Sequence, residues 1–219
     1  DTALTNKRVE GSVTDLVRAA RLQSKGTKLT FPIATFAYWQ IISNKRSRIS
    51  ELKQLSDKMI AITRYSATDY LATLAIDSVH PKYDVYRVQI NDVNIRLKML
   101  LNNEMDAVLL SEPQATRARL EGHVKLMDSR DKNVRLGVFA FRTEALKEPR
   151  RKQQLDLFIK AYNMAVDSIN KNGVQHYKNL IIKNCGVDAR TVDALPKLRY
   201  QHAGSPRKHD RNIANSIKN

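Results

Sequence analysis

Apolar positions along the chain switch repeatedly between two periods. Short apolar runs rich in branched residues alternate with stretches in which apolar side chains recur every three or four residues, as strands alternate with helices. The clearest instance is KMIAITRYSATDY, from Lys58 to Tyr70. Met59, Ile60, Ala61 and Ile62 read as a buried strand. Ser66 or Thr68 then caps a helix with Asp69 in its first turn, and Tyr70, Leu71, Leu74 and Ala75 take up helical spacing. The same reading predicts strands over 9–13, 29–33, 85–90, 106–110, 124–127 and 136–141. It predicts helices led by Leu16, Val17, Ala20 and Leu22, and over 50–55, 93–102, 114–121, 155–170 and 176–183. The tail, 207–219, reads as an amphipathic helix end.

Strands alternating with helices at this spacing predict an α/β protein with mainly parallel sheets. The polar, basic link SNKRSR, from Ser43 to Arg48, divides the chain, and the long strand over 136–141 returns to helices of the first style. Two lobes joined by two crossings is the economical arrangement. Residues 1–43 with 138–219 make one lobe, 44–137 the other, and 36–50 and 131–138 are the hinge segments.

The 219 residues, 42% hydrophobic, describe a folded chain with enough material for such lobes. No apolar run approaches the length of a membrane span, and the opening DTALTNKRVE has no apolar signal core. Any secretion signal is expected to have been removed or never present. The net charge of +16, from 38 Lys and Arg against 22 Asp and Glu, raises nucleic acid as a partner. Its distribution argues otherwise: bases are spread along helix faces with acids between them, without a basic arm, zinc-finger spacing or helix-turn-helix. The charge therefore reads as solubility and attraction of anions, and no nucleic-acid partner is expected. The single cysteine, Cys185, excludes an internal disulfide and a cysteine-based metal site. The five histidines are scattered without a ligating pair, so neither metal nor cofactor is expected.

In a parallel sheet the ligand lies beyond the carboxyl ends of the strands, where helix N-termini offer unpaired N–H groups. That rule selects Thr14 and Asp15; Phe36, Tyr38 and Trp39; Arg64, Tyr65, Ser66, Thr68 and Asp69; Asn91 and Asp92; Ser111 and Glu112. Ser66, Thr68 and the adjacent backbone would hold an anionic head, with Arg64 pairing to it. Tyr38, Trp39 and Tyr65 would line an organic ligand, and Glu112 would accept from an amine or ring N–H. Each has a plainer reading: Trp39 as a core or hinge residue, Arg64 as a partner of Asp69, Asp15 and Asp92 as helix caps, Glu112 as the residue that fixes a helix start.

The segments VEGSVTDLVRAARLQSKG, SELKQLSDKMIAITRYSATDYLATLAI, QINDVNIRLKMLLNNEMDAVLLSEPQATRA, LGVFAFRTEAL and LDLFIKAYNMAVDSIN together cover most of the chain. In this order they resemble periplasmic substrate-binding proteins of the type II fold, in the branch of nitrate, sulfonate and taurine binders and thiamine-pyrimidine binders. The resemblance implies two lobes closing on a small anionic or heterocyclic ligand, a membrane permease of an ABC importer as partner, and a periplasmic or lipid-anchored location. It implies a binder and not an enzyme. That family opens with a strand, a long helix and a second strand ahead of the position of Asp1, so the first lobe is expected to lack them. Two alternatives stay open. One is an enzyme like the thiamine-pyrimidine synthases, whose cysteine-rich motif has no counterpart here. The other is the effector-binding domain of a regulator.

Overall fold

A computed structural model describes residues 1–217; Lys218 and Asn219, the end of the stretch read as a helical tail, lie outside the described residues. In chain order the elements are α1 (Thr2–Thr5), β1 (Gly11–Asp15), α2 (Leu16–Ser24), β2 (Leu29–Ala34), β3 (Gln40–Ser43), β4 (Met59–Ile62), α3 (Ala67–Asp77), β5 (Tyr86–Gln89) and α4 (Val93–Leu101). They continue with β6 (Ala107–Leu110), α5 (Gln114–Leu120), β7 (Val124–Asp128), β8 (Gly137–Arg142), α6 (Pro149–Asn172), α7 (Lys178–Cys185), α8 (Ala189–Asp193) and α9 (Lys208–Ser216). Short 3-10 turns lie between several of them. The 50–55 segment is one such turn, Leu52–Leu55, with Gln54 Oε1 accepting from the Ser50 and Glu51 N–H groups at 2.7 and 3.1 Å.

The strands form two sheets, one ordered β1-β8-β2 and the other β5-β4-β6-β3-β7. In the larger sheet, successive residues of each strand point to opposite faces. Ile41, Ile60, Ile62 and Leu109 pack with α3 on one face, and Ile42, Ala61, Val108 and Leu110 pack with α4 and α5 on the other. This is why the central strands read as unbroken apolar runs: both of their faces are covered.

The expectation of mainly parallel pairing needs correction. Among the described residues, only β4 with β5 and β4 with β6 pair in parallel; the other four pairings are antiparallel. The cause is the route of the chain. β4, β5, β6 and β7 are linked through α3, α4 and α5 and run the same way, but β3 enters from the other sheet without a crossover helix and runs opposite to both neighbours, β6 and β7. In the small sheet β8 returns antiparallel between β1 and β2, which α2 connects.

Residues 40–43, for which no strand was expected and which fell at the edge of the first lobe within the first hinge segment, form β3 in the middle of the large sheet. The chain crosses between the sheets at 35–39 and again at 129–136. Trp39 ties the crossings together: its N–H donates to Ser129 Oγ at 3.0 Å and its carbonyl accepts from the Ser129 N–H at 2.9 Å. Its ring packs against the large-sheet core and also against the small-lobe cluster of Leu16, Val17, Leu136 and Val138.

The helix expected over 155–170 is longer. It begins at Pro149 and runs to Asn172, and among its residues Val166 alone is buried. Phe158 and Tyr162 meet Phe139 of β8 at ring-centroid distances of 5.9 and 5.7 Å, while Leu157 and Met164 are exposed.

Candidate functional site

Two strand-to-helix turns, one from each lobe, face one another. On the small lobe β1 ends at Asp15, which caps α2: its Oδ1 accepts from the Arg18 N–H at 3.0 Å. The N–H of Ala67, at the start of α3 on the large lobe, acts on the same carboxylate, as does that of Val17. Asp15 is only 7% exposed, and burial pushes its carboxyl up to about 6 against the opposing pull of these donors and of Arg18. Arg21, a turn further along α2, lays its guanidinium 3.9 Å from the Tyr65 ring centroid, a second contact across the junction.

On the large lobe the turn after β4 is closed by its own side chains. Ser66 Oγ caps α3, accepting from the Thr68 N–H at 3.1 Å and donating to the Thr63 carbonyl at 2.7 Å. Thr68 Oγ1 accepts from the Thr63 N–H at 2.9 Å. Tyr65 holds a left-handed conformation, φ 59°, with its N–H donating to Asp69 Oδ2 at 2.8 Å. Asp69 pairs with Arg87 at 3.4 Å. Arg64, expected to aim into the cleft or to pair with Asp69, is exposed and lines an open surface hollow with Asp77, His80 and Arg87.

Under this turn lies Arg96, which sequence reasoning missed. It comes from α4, is 5% exposed, and donates from Nη1 to Thr63 Oγ1 and to the Ile90 carbonyl, both at 3.1 Å. Burial pulls its pKa down to about 10. Its Nε has no hydrogen-bond partner, and Thr14 Oγ1, at the end of β1, has none either. Among the described residues these two are the buried side-chain polar atoms left unpaired. No sequence signal marked Arg96, because a cation in an amphipathic helix normally faces water.

The other expected residues divide. Asn91 and Asp92 are exposed at the start of α4, where Asp92 Oδ1 accepts from the Asn94 and Ile95 N–H groups at 2.7 and 3.1 Å. Glu112, beside Ser111, is fully engaged within the fold. It accepts from Tyr38 Oη at 3.2 Å, Arg119 Nη2 at 2.9 Å, and the N–H and Oγ1 of Thr116 at 2.9 and 2.7 Å. Tyr38 is sandwiched further by the Arg130 guanidinium, 3.9 Å from its ring centroid, and burial together with Glu112 raises its pKa. Phe36 lies in the first crossing under the Arg135 guanidinium at 4.3 Å.

α5 meets the opposite lobe as well. Gln114 Nε2 donates to the Cys185 carbonyl at 3.1 Å, and Arg117 pairs with Asp188.

No family model matches the chain, and no curated protein matches it in sequence. Solved structures do match in shape. The periplasmic aliphatic sulphonate binding protein SsuA from Escherichia coli superimposes with a TM-score of 0.76 at 16% identity, over 97% of this chain and 74% of that one. The alkanesulfonate-binding SsuA from Xanthomonas axonopodis pv. citri, bound to MOPS, gives 0.76 at 15%, over 98% and 74%. A ligand-binding component of an ABC-type import system from Staphylococcus aureus, with zinc bound, gives 0.77 at 14%, over 97% and 74%. The fold is that of the periplasmic binding proteins. In the periplasmic-binding-protein fold of this chain, the facing turns at Asp15 and Ser66 are where the two lobes meet.

Proposed function

We propose that the chain is the solute-binding component of an ABC importer, taking up a small molecule between its lobes and presenting it to a membrane permease from the periplasmic side. The observation that carries this reading is the meeting of β1–α2 and β4–α3 at the lobe junction, with Thr14 Oγ1 at the end of β1 and Arg96 Nε under the β4–α3 turn both buried and without partners. Buried polar atoms without partners are costly, and a bound solute supplies the missing partners. The likeness in shape to proteins described as sulfonate binders and import components supports the same reading.

Arg18 and Arg21 near the junction, with Tyr38, Trp39 and Tyr65, support sulfonates, nitrate and thiamine-type pyrimidines as the solutes to test. The α3 turn offers an anion less than the sequence predicts, since Ser66, Thr68 and Asp15 already use several of its donors. A thermal-shift screen of alkanesulfonates, nitrate, bicarbonate and aminopyrimidines tests the proposal. A saturable rise in melting temperature with one class is the expected result. No shift with any solute on a cooperatively folded sample would remove the reading.

A further inference from the structure

Residues 200–217 reach both crossings between the lobes. The stretch starts along one face of α6, where Asn170 brackets the Tyr200 backbone: its Oδ1 accepts from the Tyr200 N–H at 2.9 Å and its Nδ2 donates to the Tyr200 carbonyl at 2.8 Å. His202 Nε2 lies 2.7 Å from Asp167 Oδ1, and Asn163 Oδ1 accepts from the Ala203 N–H at 2.7 Å. Positions 163, 167 and 170 are four and three apart, so one face of α6 carries all three. The Gly204 carbonyl then accepts from the Ala34 N–H at 2.7 Å, where β2 ends and the first crossing begins. Arg207 and Asp210 bring the stretch to the second crossing. As a pair at i and i+3 around the start of α9 they resemble an ordinary helix-end ion pair, with the acid in the first turn. Their other bonds leave the helix. Arg207 Nη1 and Nη2 donate to the Oδ1 and the carbonyl of Asn133, each at 2.8 Å, and Asp210, only 1% exposed, accepts from the Arg135 N–H at 3.1 Å. Beyond them Ile213, Ala214 and Ile217 join the cluster of Leu16, Val134 and Leu136.

We infer that this C-terminal stretch clamps the hinge, with Arg207 and Asp210 as the positioning residues that fix where the second crossing bends. The large-lobe end of that crossing is held by Trp39 through Ser129. Its small-lobe end is held by the clamp from Asn133 onward. Between the two lies one 3-10 turn, Ser129–Lys132, in which Arg130, Asp131 and Lys132 are exposed and after which Asn133 turns left-handed, φ 52°. Movement of one lobe against the other is thereby confined to this turn, since the residues on either side of it are bonded in place. Arg207 suits the task because its Nε and both Nη groups point in fixed directions and all three are used. The inference goes beyond solute uptake: it concerns how the lobes are set before anything binds.

The test uses the full chain without solute and reads two quantities: hydrogen exchange of the Arg135 amide and acrylamide quenching of Trp39. Arg207→Ala should speed exchange at Arg135 about tenfold or more, the worth of a charge-assisted hydrogen bond. It should also change the quenching of Trp39, because the lobes then take a wider range of positions. Arg207→Lys keeps the charge without the fork and should act in the same way. Val9→Ala loosens the small-lobe cluster of Leu4 and Leu22, away from the clamp, and should leave the quenching as in wild type. Where Arg207→Ala does not fold, Asn133→Gly keeps the left-handed backbone, removes one acceptor of Arg207 and should move both readouts in the same direction. An Arg135 amide that exchanges as in wild type, a Trp39 quenching unchanged where that exchange has risen, or a Val9→Ala variant that shifts the quenching as far would each overturn the inference. None of these outcomes bears on solute uptake, which the thermal-shift screen decides separately.

Discussion

A carboxylate that caps one helix while lying against the start of another is held under two opposing demands, and its protonation reports the balance. Asp15 has its carboxyl raised to about 6 from an ordinary 3.8. The folded state therefore binds the proton more tightly than the unfolded chain, and stability falls as pH rises from about 4 to about 6. The span corresponds to a difference on the order of 2–3 kcal/mol. Asp15→Asn should flatten this part of the profile, measured as the change in urea midpoint between pH 4 and pH 7 in variant and wild type. Glu112 makes the contrasting case. Its carboxylate joins Tyr38, Thr116 and Arg119, so Glu112→Ala should cost about 2–4 kcal/mol in urea unfolding, because Arg119 and the Tyr38 hydroxyl lose their acceptor. Caps of this kind were legible in the sequence, since Asp15, Ser66 and Asp92 precede helical patterns and their oxygens reach only a few residues. Arg96 was not legible. Its burial is set where β4 and β5 end, with Thr63 Oγ1 and the Ile90 carbonyl taking its Nη1, and Arg87, not Arg64, takes Asp69 because the neighbouring strand places it there.

Elements were legible where both faces or one clear stripe are buried. β4, β6 and α3 fall close to their expected places for that reason, and the ends of α6 do not. The stretch EPRRKQQ carries no apolar signal, yet it forms the first two turns of α6, with Pro149 at the first helical position where its missing N–H costs nothing. β3 was not read as a strand, because Ile41 and Ile42 make a run too short to stand out beside the basic link, within the first expected hinge segment; only pairing with β6 and β7 shows it. Crossing segments also demand small residues. Gly137 opens β8 at the second crossing, and a Cβ there would collide with Thr35 Oγ1 and stand 2.9 Å from Ala37 Cβ. Gly137→Ala should lower stability by about 1–3 kcal/mol in chemical denaturation, since the first crossing must shift to admit the methyl.

At the scale of the molecule, the two sheets are joined by two crossings, and the sole tryptophan touches the cores on both sides. Any change in how the lobes sit alters the surroundings of Trp39. Saturating solute should shift its emission maximum or intensity, with a midpoint matching calorimetry. A titration in which heat is released and the emission stays constant would show binding without movement of the lobes.

The small lobe carries one more consequence. β1 is an edge strand, Val13 on it is 65% exposed, and α6 beside it shows Leu157 at 67% and Met164 at 64%. Such a surface is adhesive, and the net charge of +16 is what holds copies of the chain apart. Electrostatic repulsion has a reach of about 30 Å at 0.01 M salt and about 3 Å at 1 M. The colloidal behaviour should therefore invert with ionic strength. Light scattering should give a positive second virial coefficient in dilute buffer and a negative one in molar sodium chloride. Leu157→Lys should keep the chain dispersed across the whole range.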